Sequence, residues 1–408
     1  MLTQAQLDVI KATVPVLDAG GEALTRHFYE RMFRENPEVR SFFNPAHQKT
    51  GGQQRALAAA ICAYAKHIEN PGVLADAVEL IAQKHASLGI QPQHYPIVGT
   101  NLLSSIKEVL GDDATPDIID AWAAAYNQLA DLFIAREKAI YADQVAEYGW
   151  NGFKRFVVSQ REAASDNITS IYFAAEDGQA LQAHLPGQYI TLRVTPTEGG
   201  TAIMRNYSLS NRAGDTHYRI SVKRELALAP NTPDGVCSNY VHDQLQVGDV
   251  VELAPPCGEF TFKTPQHDQG PLVFIAGGVG ITPVLSMLHS ALAEHSDRDI
   301  ILLQCAINGS VRAFADEIAE LQSQHTNLTT HLRLSDPSAQ DLINNTHQSQ
   351  GFIDQALLDE LIGDRPSEVY LCGPTPMLSH VWRLLKARNM ADSHIHYEFF
   401  GPAGELAA

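Results

Sequence analysis

The stretch Arg205-Asn206-Tyr207-Ser208-Leu209-Ser210 combines a cation, an aromatic ring and hydroxyl groups at strand-like spacing. Alternate residues of a β-strand point to the same side, so Arg205 and Tyr207 would share one face. A guanidinium can hold a phosphate through two parallel hydrogen bonds. The Tyr207 ring can stack on a planar heterocycle, and Ser208 can hydrogen-bond one of its heteroatoms. The stretch predicts a flavin dinucleotide site, although an antiparallel strand with a solvated arginine would show the same pattern.

Three other runs have features of phosphate or dinucleotide sites. The glycine run Gly277-Gly278-Val279-Gly280-Ile281-Thr282-Pro283 follows an apolar strand pattern and leads into a helix, so its amides could bind a diphosphate. Proline at 283 excludes Gly-x-Gly-x-x-Gly, and no Gly-Lys-Ser/Thr follows. A tight strand-to-helix turn explains this run equally well. Gly235 to Tyr240 could offer amides and Ser238 to a pyrophosphate. Cys372-Gly373-Pro374 ends a strand at the sheet edge where ligands bind in open α/β folds.

Polar side chains interrupt the apolar stripes of several predicted helices in the first 145 residues. His85 ends the stripe of Leu74, Val78 and Ile81, and a carboxylate on a core-facing stripe needs a partner. Each such residue alone is more simply a polar group of the core or its rim. Together they predict a pocket that holds a metal cofactor. The residues are Tyr29, Gln53, His85, Tyr95 and Glu137.

Length, charge and cysteine spacing limit the classes of protein. The 408 residues exceed a single core of ~250 to 300 residues, so we expect several domains. A formal net charge of -18 disfavours binding to nucleic acid or anionic membrane. The N-terminus lacks a signal pattern and no apolar run approaches the ~20 residues of a membrane span, which predicts a cytoplasmic protein. The 5 cysteines form no Cys-x-x-Cys pair, which argues against a disulfide framework, a zinc site or an iron-sulfur cluster.

Hydrophobic periodicity divides the chain into three regions. Residues 1–147 show helical patterns, residues 150–265 show short strands with turns, and residues 266–408 alternate strands with helices. We expect an all-α domain, then an antiparallel β-barrel, then an α/β domain with a parallel sheet. The first helix should start at a Thr3 capping box and end at Gly20-Gly21, where a second helix begins.

The helical region resembles the globin domain of the bacterial flavohaemoglobins. The motifs that carry the resemblance are Phe28-Tyr29, Phe42-Phe43-Asn44, Gln53 with Leu57, and Ala82-Gln83-Lys84-His85. The resemblance implies a haem b, held without covalent bonds, whose iron is bound by His85. It also implies that Tyr95 and Glu137 are linked to that histidine by hydrogen bonds. On the other side of the haem, it implies that Tyr29 donates to dioxygen in a pocket shaped by Phe43, Gln53 and Leu57.

The rest of the chain resembles the ferredoxin-reductase-like part of the same family. The resemblance implies an FAD site and an NAD(P)H site, followed by an aromatic tail, Phe399 to Pro402, against the flavin. Glu398 is implied to lie between flavin and haem near Lys84. The implied FAD contacts are Gln188, Tyr189, Arg205, Asn206, Tyr207, Ser208, Val236 and Ser238. The implied NAD(P)H contacts are Gly278, Val279, Gly280, Ile281, Thr282, Pro283, Cys372, Gly373 and Pro374, and the tail contacts are Phe399, Phe400, Gly401 and Pro402.

The resemblance implies nitric oxide dioxygenation, in which nitric oxide and dioxygen give nitrate at the expense of NADH or NADPH. Two other functions use the same residues. One is a haem-flavin reductase of dioxygen or peroxide, and the other is a dioxygen carrier or sensor with an attached reductase. The expected substrates are small molecules, with no nucleic acid partner and no stable membrane insertion, and the protein is expected to be a monomer. The residues leave the choice between NADH and NADPH open.

Overall fold

The N-terminal region is helical, as its apolar periodicity predicts. The computed structural model describes residues 2–43, 48, 51–227, 233–263, 270–295 and 297–401. Its helices in this region are α1 (Gln4–Glu35), α2 (Gly52–Lys66), α3 (Ala75–Leu88), α4 (Tyr95–Leu110) and α5 (Pro116–Tyr148). α1 starts at the predicted capping box, because Thr3 Oγ1 accepts from Gln6 N at 3.3 Å and Gln6 Oε1 accepts from Thr3 N at 2.9 Å. Apolar side chains of α1, α2, α4 and α5 form the core.

The predicted break at Gly20-Gly21 is wrong, because α1 continues through both glycines. Gly21 is buried, and a Cβ on it would lie 3.3 Å from Cβ of Ala58 on α2. Glycine thus lets α1 and α2 approach closely at this point. This packing offsets the roughly 1 kcal/mol by which glycine disfavours a helix interior.

The middle region is an antiparallel barrel. Its strands are β1 (Lys154–Ser165), β2 (Ile168–Ala175), β3 (Tyr189–Val194), β4 (Ile203–Ser208), β5 (Tyr218–Lys223) and β6 (Val250–Leu253), and its helix is α6 (Val236–Asp243). They lie in the order β4-β3-β6-β1-β2-β5. An antiparallel bridge between Leu209, which follows β4, and Ile220 within β5 joins the two outer strands, so the sheet closes on itself.

The C-terminal region is α/β with a parallel sheet. Its strands are β7 (Leu272–Gly277), β8 (Ile300–Ala306), β9 (Leu328–Leu334), β10 (Ser349–Gln350), β11 (Glu368–Cys372) and β12 (Ile395–Glu398), in the order β10-β9-β8-β7-β11-β12. Its helices are α7 (Ile281–Glu294), α8 (Ala315–Gln324), α9 (Ala339–Asn344), α10 (Gln355–Ile362) and α11 (Thr375–Ala387). Leu272 and Phe274 pack on one side of the sheet, and Val273 and Ile275 on the other. Both faces are therefore covered, which explains why β7 is a continuous apolar run.

The chain folds into two compact units, one formed by residues 1–153 with 193–204 and the other by residues 154–192 with 205–401. The predicted limits at 147 and 150 lie near the end of α5 and before β1. The limit at 265 and 266 lies outside the described residues. The limits of the three domains therefore stay predictions. No described helix is long and apolar enough to cross a membrane.

Candidate functional site

His85, Tyr95 and Glu137 meet in the helical unit, although they are distant in sequence. Nδ1 of His85 lies 2.7 Å from Oε1 of Glu137 and 3.2 Å from Oη of Tyr95. The Tyr95 hydroxyl donates to the same carboxylate oxygen at 2.5 Å. An ionised carboxylate only accepts, so we infer that Nδ1 of His85 carries the proton. The other ring nitrogen, Nε2, then has the lone pair that could bind a metal.

Three helices each supply one member of this group. His85 lies in the last turn of α3, which is capped by Gly89 at a φ of 77°, a left-handed conformation that glycine adopts without strain. Tyr95 opens α4, and its carbonyl accepts from the Tyr126 hydroxyl of α5 at 2.6 Å. Glu137, also on α5, is 2% exposed. The imidazole orientation is therefore set by contacts between helices.

The carboxylate gives this group its electrostatic character. Burial, and then the hydrogen bond to Glu137, raise the pKa of Tyr95 far above its ordinary value, so the phenol stays protonated and donates. Oε2 of Glu137 is buried and accepts no hydrogen bond from the described residues. A carboxylate that accepts the Nδ1 proton makes an imidazole a stronger electron donor at Nε2.

Tyr29 lies on α1 in an aromatic cluster of the same unit. Its ring centroid lies 5.0 Å from that of Phe28, 5.8 Å from that of Phe33 and 5.6 Å from that of Phe43. Tyr29 is 6% exposed, and burial raises its pKa above the ordinary range. Its hydroxyl forms no hydrogen bond with another residue in the described part of the chain. A tyrosine of this kind could donate its hydroxyl proton to a polar ligand.

Gln53 and Leu57 lie one turn apart on α2. Leu57 packs against the helical core. Gln53 is half-buried, and its Oε1 accepts from Gln48 Nε2 at 2.8 Å. The neighbouring Gln54 is more buried, at 5% exposed. Lys84 is half-buried beside His85, and Asn44 lies outside the described residues.

The predicted flavin segments contact one another in the barrel. The amide of Leu209 donates to the carbonyl of Gln188 at 2.9 Å, and Thr191 Oγ1 donates to Asn206 Oδ1 at 2.8 Å. Arg205 and Tyr207 are half-buried, Asn206 is exposed and Ser208 is buried. Tyr207 also forms a side-chain hydrogen bond with Cys237, and burial raises its pKa well above the ordinary value. The strand and the start of α6 are thus joined.

The turn before Tyr189 requires glycine. Gly187 has a φ of 105°, and a Cβ on it would lie 2.1 Å from the carbonyl oxygen of Phe260. Gln188 stabilises the turn, because its Oε1 accepts from Leu185 N at 2.8 Å. Tyr189 is paired with Cys257 by two backbone hydrogen bonds of 2.9 Å. The main chain that leads to Tyr189 therefore has little freedom.

Ser238 has a structural contact at the start of α6. Its hydroxyl donates to Gly235 O at 3.0 Å and accepts from Glu225 N at 3.2 Å. Val236, the first residue of α6, is 57% exposed. The exposed first turn could still present its amides to a phosphate, and the pyrophosphate contact of Ser238 stays a prediction.

The glycine run and Cys372-Gly373-Pro374 lie side by side at the carboxyl edge of the parallel sheet. Cys372 pairs with Ala276 in the β11/β7 register. A Cβ on Gly280 would lie 2.3 Å from Cys372 O, and one on Gly277 would lie 2.5 Å from Met377 Sδ. Gly278, with a φ of 55°, has open space at its Cβ position. The main chain from Gly277 to Gly280 therefore forms a narrow glycine cradle. The side chains of Ile281, Thr282 and Pro283, at the start of α7, are buried, and that of Val279 is partly buried.

The C-terminal strand brings Glu398 to the same edge, in register with Cys372. Phe399 packs against the apolar core on one side of the sheet. Phe400 is 48% exposed and Gly401 is half-buried. Pro402 lies outside the described residues. The predicted flavin contacts of this tail are not tested by these positions.

Family models and full-length relatives agree on which domains the chain contains. A globin model matches residues 26–133, an oxidoreductase FAD-binding domain model matches 155–262, and an oxidoreductase NAD-binding domain model matches 274–383. Flavohemoproteins from Rhodopirellula baltica and Pseudomonas aeruginosa are 46% and 44% identical to this chain, with 100% of each sequence covered.

The chain belongs to the flavohemoprotein family.

Solved structures give the same architecture. The crystal structure of a flavohemoglobin from Malassezia yamatoensis with bound FAD and heme covers 98% of this flavohemoprotein and 100% of its own chain, with a TM-score of 0.85 and 28% identity. The FAD/NAD binding domain of a nitric oxide dioxygenase from Vibrio cholerae covers 61% of this chain and 99% of its own, with a TM-score of 0.54 and 34% identity. The predicted family and fold class are confirmed.

The matched domains make this flavohemoprotein an oxidoreductase with FAD and a nicotinamide dinucleotide as cofactors, and the globin domain is the part that would hold haem. The residues present fit these groups. His85 offers Nε2 to an iron, and Tyr29 offers a buried hydroxyl to a ligand of that iron. The half-buried Arg205 and Tyr207 could hold a phosphate and a flat ring. The glycine cradle could take a diphosphate.

Several residues of these sites were missed by reasoning from the sequence. Tyr126 looks like one more aromatic of α5, yet it fixes the position of Tyr95. Arg219 stands on β5 between the apolar Tyr218 and Ile220, so alternation predicts a solvated side chain. It is instead 6% exposed and paired with Glu317 at 2.9 Å. No local signal in the sequence identifies this pair, because its partners come from different elements.

Proposed function

We propose that this flavohemoprotein is a nitric oxide dioxygenase that uses NAD(P)H, FAD and haem b to detoxify nitric oxide. Nitric oxide plus dioxygen has the atoms of nitrate and lacks one electron. One NAD(P)H supplies two electrons, so it supports conversion of two nitric oxide and two dioxygen molecules to two nitrate ions, NAD(P)+ and one proton. Bound haem and FAD supply the redox chemistry, with the flavin turning a two-electron donor into single-electron steps.

The observation that carries the proposal is the group formed by His85, Tyr95 and Glu137. In it the imidazole donates from Nδ1 to a carboxylate at 2.7 Å, which increases electron donation from Nε2. A histidine that donates this strongly would favour oxygen activation by a bound haem over simple oxygen storage. Tyr95 keeps the carboxylate in place by donating to it at 2.5 Å.

The proposal assigns Tyr29 to orientation of dioxygen. Its hydroxyl stays protonated, because burial raises its pKa, so it would keep a proton to donate to an oxygen atom that gains negative charge. Phe43 and the half-buried Leu57 would keep the pocket apolar and of limited size, and Gln53 would be a second polar contact. These roles agree with the burial of the four side chains.

In the second compact unit, residues 154–192 with 205–401, which we call the reductase unit, the proposal assigns Arg205 to the FAD phosphates and Tyr207 with Ser208 to the flavin ring. The glycine cradle would hold the NAD(P)H diphosphate with its main-chain amides. Cys372 and Glu398 lie in register at the same sheet edge, where the nicotinamide would meet the flavin. In the helical unit, Lys84 would lie beside the haem, because it precedes the proposed iron ligand His85.

Rapid mixing with nitric oxide tests the proposal. The NADH-reduced, oxygenated protein should consume nitric oxide rapidly and form one nitrate per nitric oxide, and one NADH should be oxidised for every two. Slow consumption without matching nitrate would contradict the proposal. Fast NADH oxidation that is independent of nitric oxide would instead identify a dioxygen or peroxide reductase. A stable oxygenated form that does not react would identify a carrier or sensor.

A further inference from the structure

Helix α7 connects the glycine cradle to the barrel within the reductase unit. It begins directly after the cradle, and every residue from Ile281 to Leu288 is buried. The methyl group of Met287 lies 2.4 Å from the position of a Cβ on Gly187, so α7 contacts the barrel turn that precedes Gln188. A rotation of α7 would therefore move the cradle relative to the predicted flavin strand.

Ser286 ties α7 to the end of that strand. Its buried hydroxyl donates to the carbonyl of Asn211 at 2.8 Å and lies 3.0 Å from His184 Nε2. Asn211 in turn holds the connection between β4 and β5, because its Oδ1 accepts from Arg219 N at 2.9 Å and its Nδ2 donates to His217 O at 3.1 Å. Ser286 thus reaches a rigid turn one residue beyond the stretch Arg205 to Ser210.

Arg219 forms a second connection between the barrel and the α/β region. Its Nη1 and Nη2 donate to the two oxygens of Glu317 on α8 at 2.9 and 3.1 Å. Its Nε and Nη2 also donate to Ser210 Oγ at 3.0 Å and Ser210 O at 2.5 Å. His289 on α7 completes the group, with Nε2 2.8 Å from Glu317. One guanidinium therefore holds the end of the flavin strand, α8 and, through the carboxylate, α7.

Polar and apolar contacts differ in how strictly they fix the orientation of the barrel relative to the α/β region. Apolar packing is not directional, so it permits sliding of one surface over another. A bidentate arginine-carboxylate pair in which all three guanidinium nitrogens donate fixes both distance and angle. Buried ion pairs often contribute little net stability, because desolvation offsets their attraction. Their main effect here is to select one relative orientation of the barrel and the α/β region.

We propose that Arg219, Glu317 and Ser286 are positioning residues for hydride transfer from the nicotinamide to the flavin. The inference rests on the proposed function for the two binding sites. Hydride transfer moves two electrons and one proton between atoms that must be about 3 to 3.5 Å apart and aligned. The three residues contact neither reacting atom. They fix the two elements that carry the sites, the strand of Arg205 and the helix that follows the glycine cradle.

Anaerobic stopped-flow reduction of the bound flavin by NADH tests this inference in the FAD-loaded full-length protein. The informative variants are Glu317→Gln, which keeps the shape and removes the charge, and Ser286→Ala. We expect the limiting rate at saturating NADH to fall by ~10- to 100-fold, while the NADH dissociation constant changes less than ~3-fold. FAD content should stay at one per chain. Amide hydrogen exchange in α7 should become faster in both variants with FAD bound.

Arg212→Gln is the matched control. Arg212 pairs with Asp215 at 3.3 Å near the same connection but its side chain is 65% exposed, so its removal should leave the limiting rate unchanged. An unchanged limiting rate in both FAD-loaded test variants would overturn the inference. A rise in the NADH dissociation constant at constant limiting rate would also overturn it, since that result indicates a binding role. If Glu317→Gln loses FAD, the limiting rate of flavin reduction in Ser286→Ala alone tests the inference. This step needs no nitric oxide, so it is measurable even if nitrate formation fails.

Discussion

At the scale of single residues, one carboxylate determines what the candidate haem ligand can do. Glu137 is buried, and one of its oxygens accepts from both His85 and Tyr95. The other oxygen has no partner among the described residues. Burial of a carboxylate with so few hydrogen-bond partners lowers the stability of the folded protein. Its benefit is the negative charge beside the imidazole.

Glu137→Gln should weaken that effect while haem remains bound. An amide carries no charge, so the imidazole becomes a poorer donor and the reduction potential of the ferric haem should rise. Turnover with nitric oxide should fall by ~10- to 100-fold. Spectroelectrochemistry and nitrate assays measure the two effects. Glu147→Gln, on an exposed part of the same helix, is the control. Unchanged potential and turnover in Glu137→Gln would show that the carboxylate does not act on the haem.

His184 should make stability depend on pH. It is 2% exposed, and burial lowers its pKa to about 4. Between an unfolded value of about 6.5 and pH 4, the unfolded chain binds a proton that the folded protein does not. The contribution of neutral His184 is therefore complete above pH 6.5 and is lost as pH falls towards 4, by roughly 3 kcal/mol in all. Chemical denaturation of the wild type and His184→Gln at pH 7.5 and 5 measures it, and the variant should show a smaller difference. An equal difference in both proteins would contradict the assignment.

At the scale of elements, tight turns control where the binding segments lie. Several of the described glycines have a positive φ, but few of them also contact another element closely. Gly187 does both, because it faces Phe260 O and Met287. Gly178 has a φ of 71° and nothing within 4 Å of its Cβ position. Substitutions at these two glycines therefore separate the free-energy cost of the backbone conformation from the cost of the close contact.

Gly187→Ala should destabilise the reductase unit strongly, and Gly178→Ala only mildly. A left-handed alanine costs about 1 to 2 kcal/mol at either position. At Gly187 the added methyl group would also displace the backbone of Phe260 or α7, so we expect a total loss of about 3 kcal/mol or more. Thermal unfolding followed by flavin fluorescence measures the difference. Equal destabilisation of the two variants would mean that the close contact at Gly187 relaxes without cost.

At the scale of the whole molecule, the two compact units have separate cores. The helical unit packs on its own apolar side chains, and the reductase unit packs on both faces of its parallel sheet. Each unit should therefore keep its own cofactor when the other site is damaged. The full-length similarity to flavohemoproteins agrees with a chain in which both units are present together.

Arg205→Ala should deplete FAD and leave haem bound. Loss of a charge-assisted contact to phosphate weakens binding by about 1.5 to 3 kcal/mol, or roughly 10- to 150-fold. The flavin-to-haem ratio in the absorption spectrum of the purified protein measures this. Arg155→Ala, which removes an exposed ion pair with Glu176, should leave the ratio unchanged. Equal loss of flavin and haem from Arg205→Ala would show that the units are not independent.

The sequence predicts the fold class of this protein because that information is local. Apolar spacing of 3.6 residues in the first region, spacing of 2 in the second and continuous apolar strands in the third each reflect which faces an element buries. The starting point of α1 is predicted from its capping box for the same reason. The wrong break at Gly20-Gly21 has the opposite cause. There a contact with Ala58, far along the chain, outweighs the local preference of glycine.

The stretch Arg205 to Ser210 shows where sequence alone stops. Its residue types indicate a dinucleotide, and its place in a family-like order indicates FAD. Only the tertiary structure shows that Ser210 is held by Arg219, and that Glu317, Ser286 and His184 complete the contact with the α/β region. These partners lie on separate elements with no periodic or motif signal. Their burial and pairing arise from how the elements pack, which no local pattern specifies.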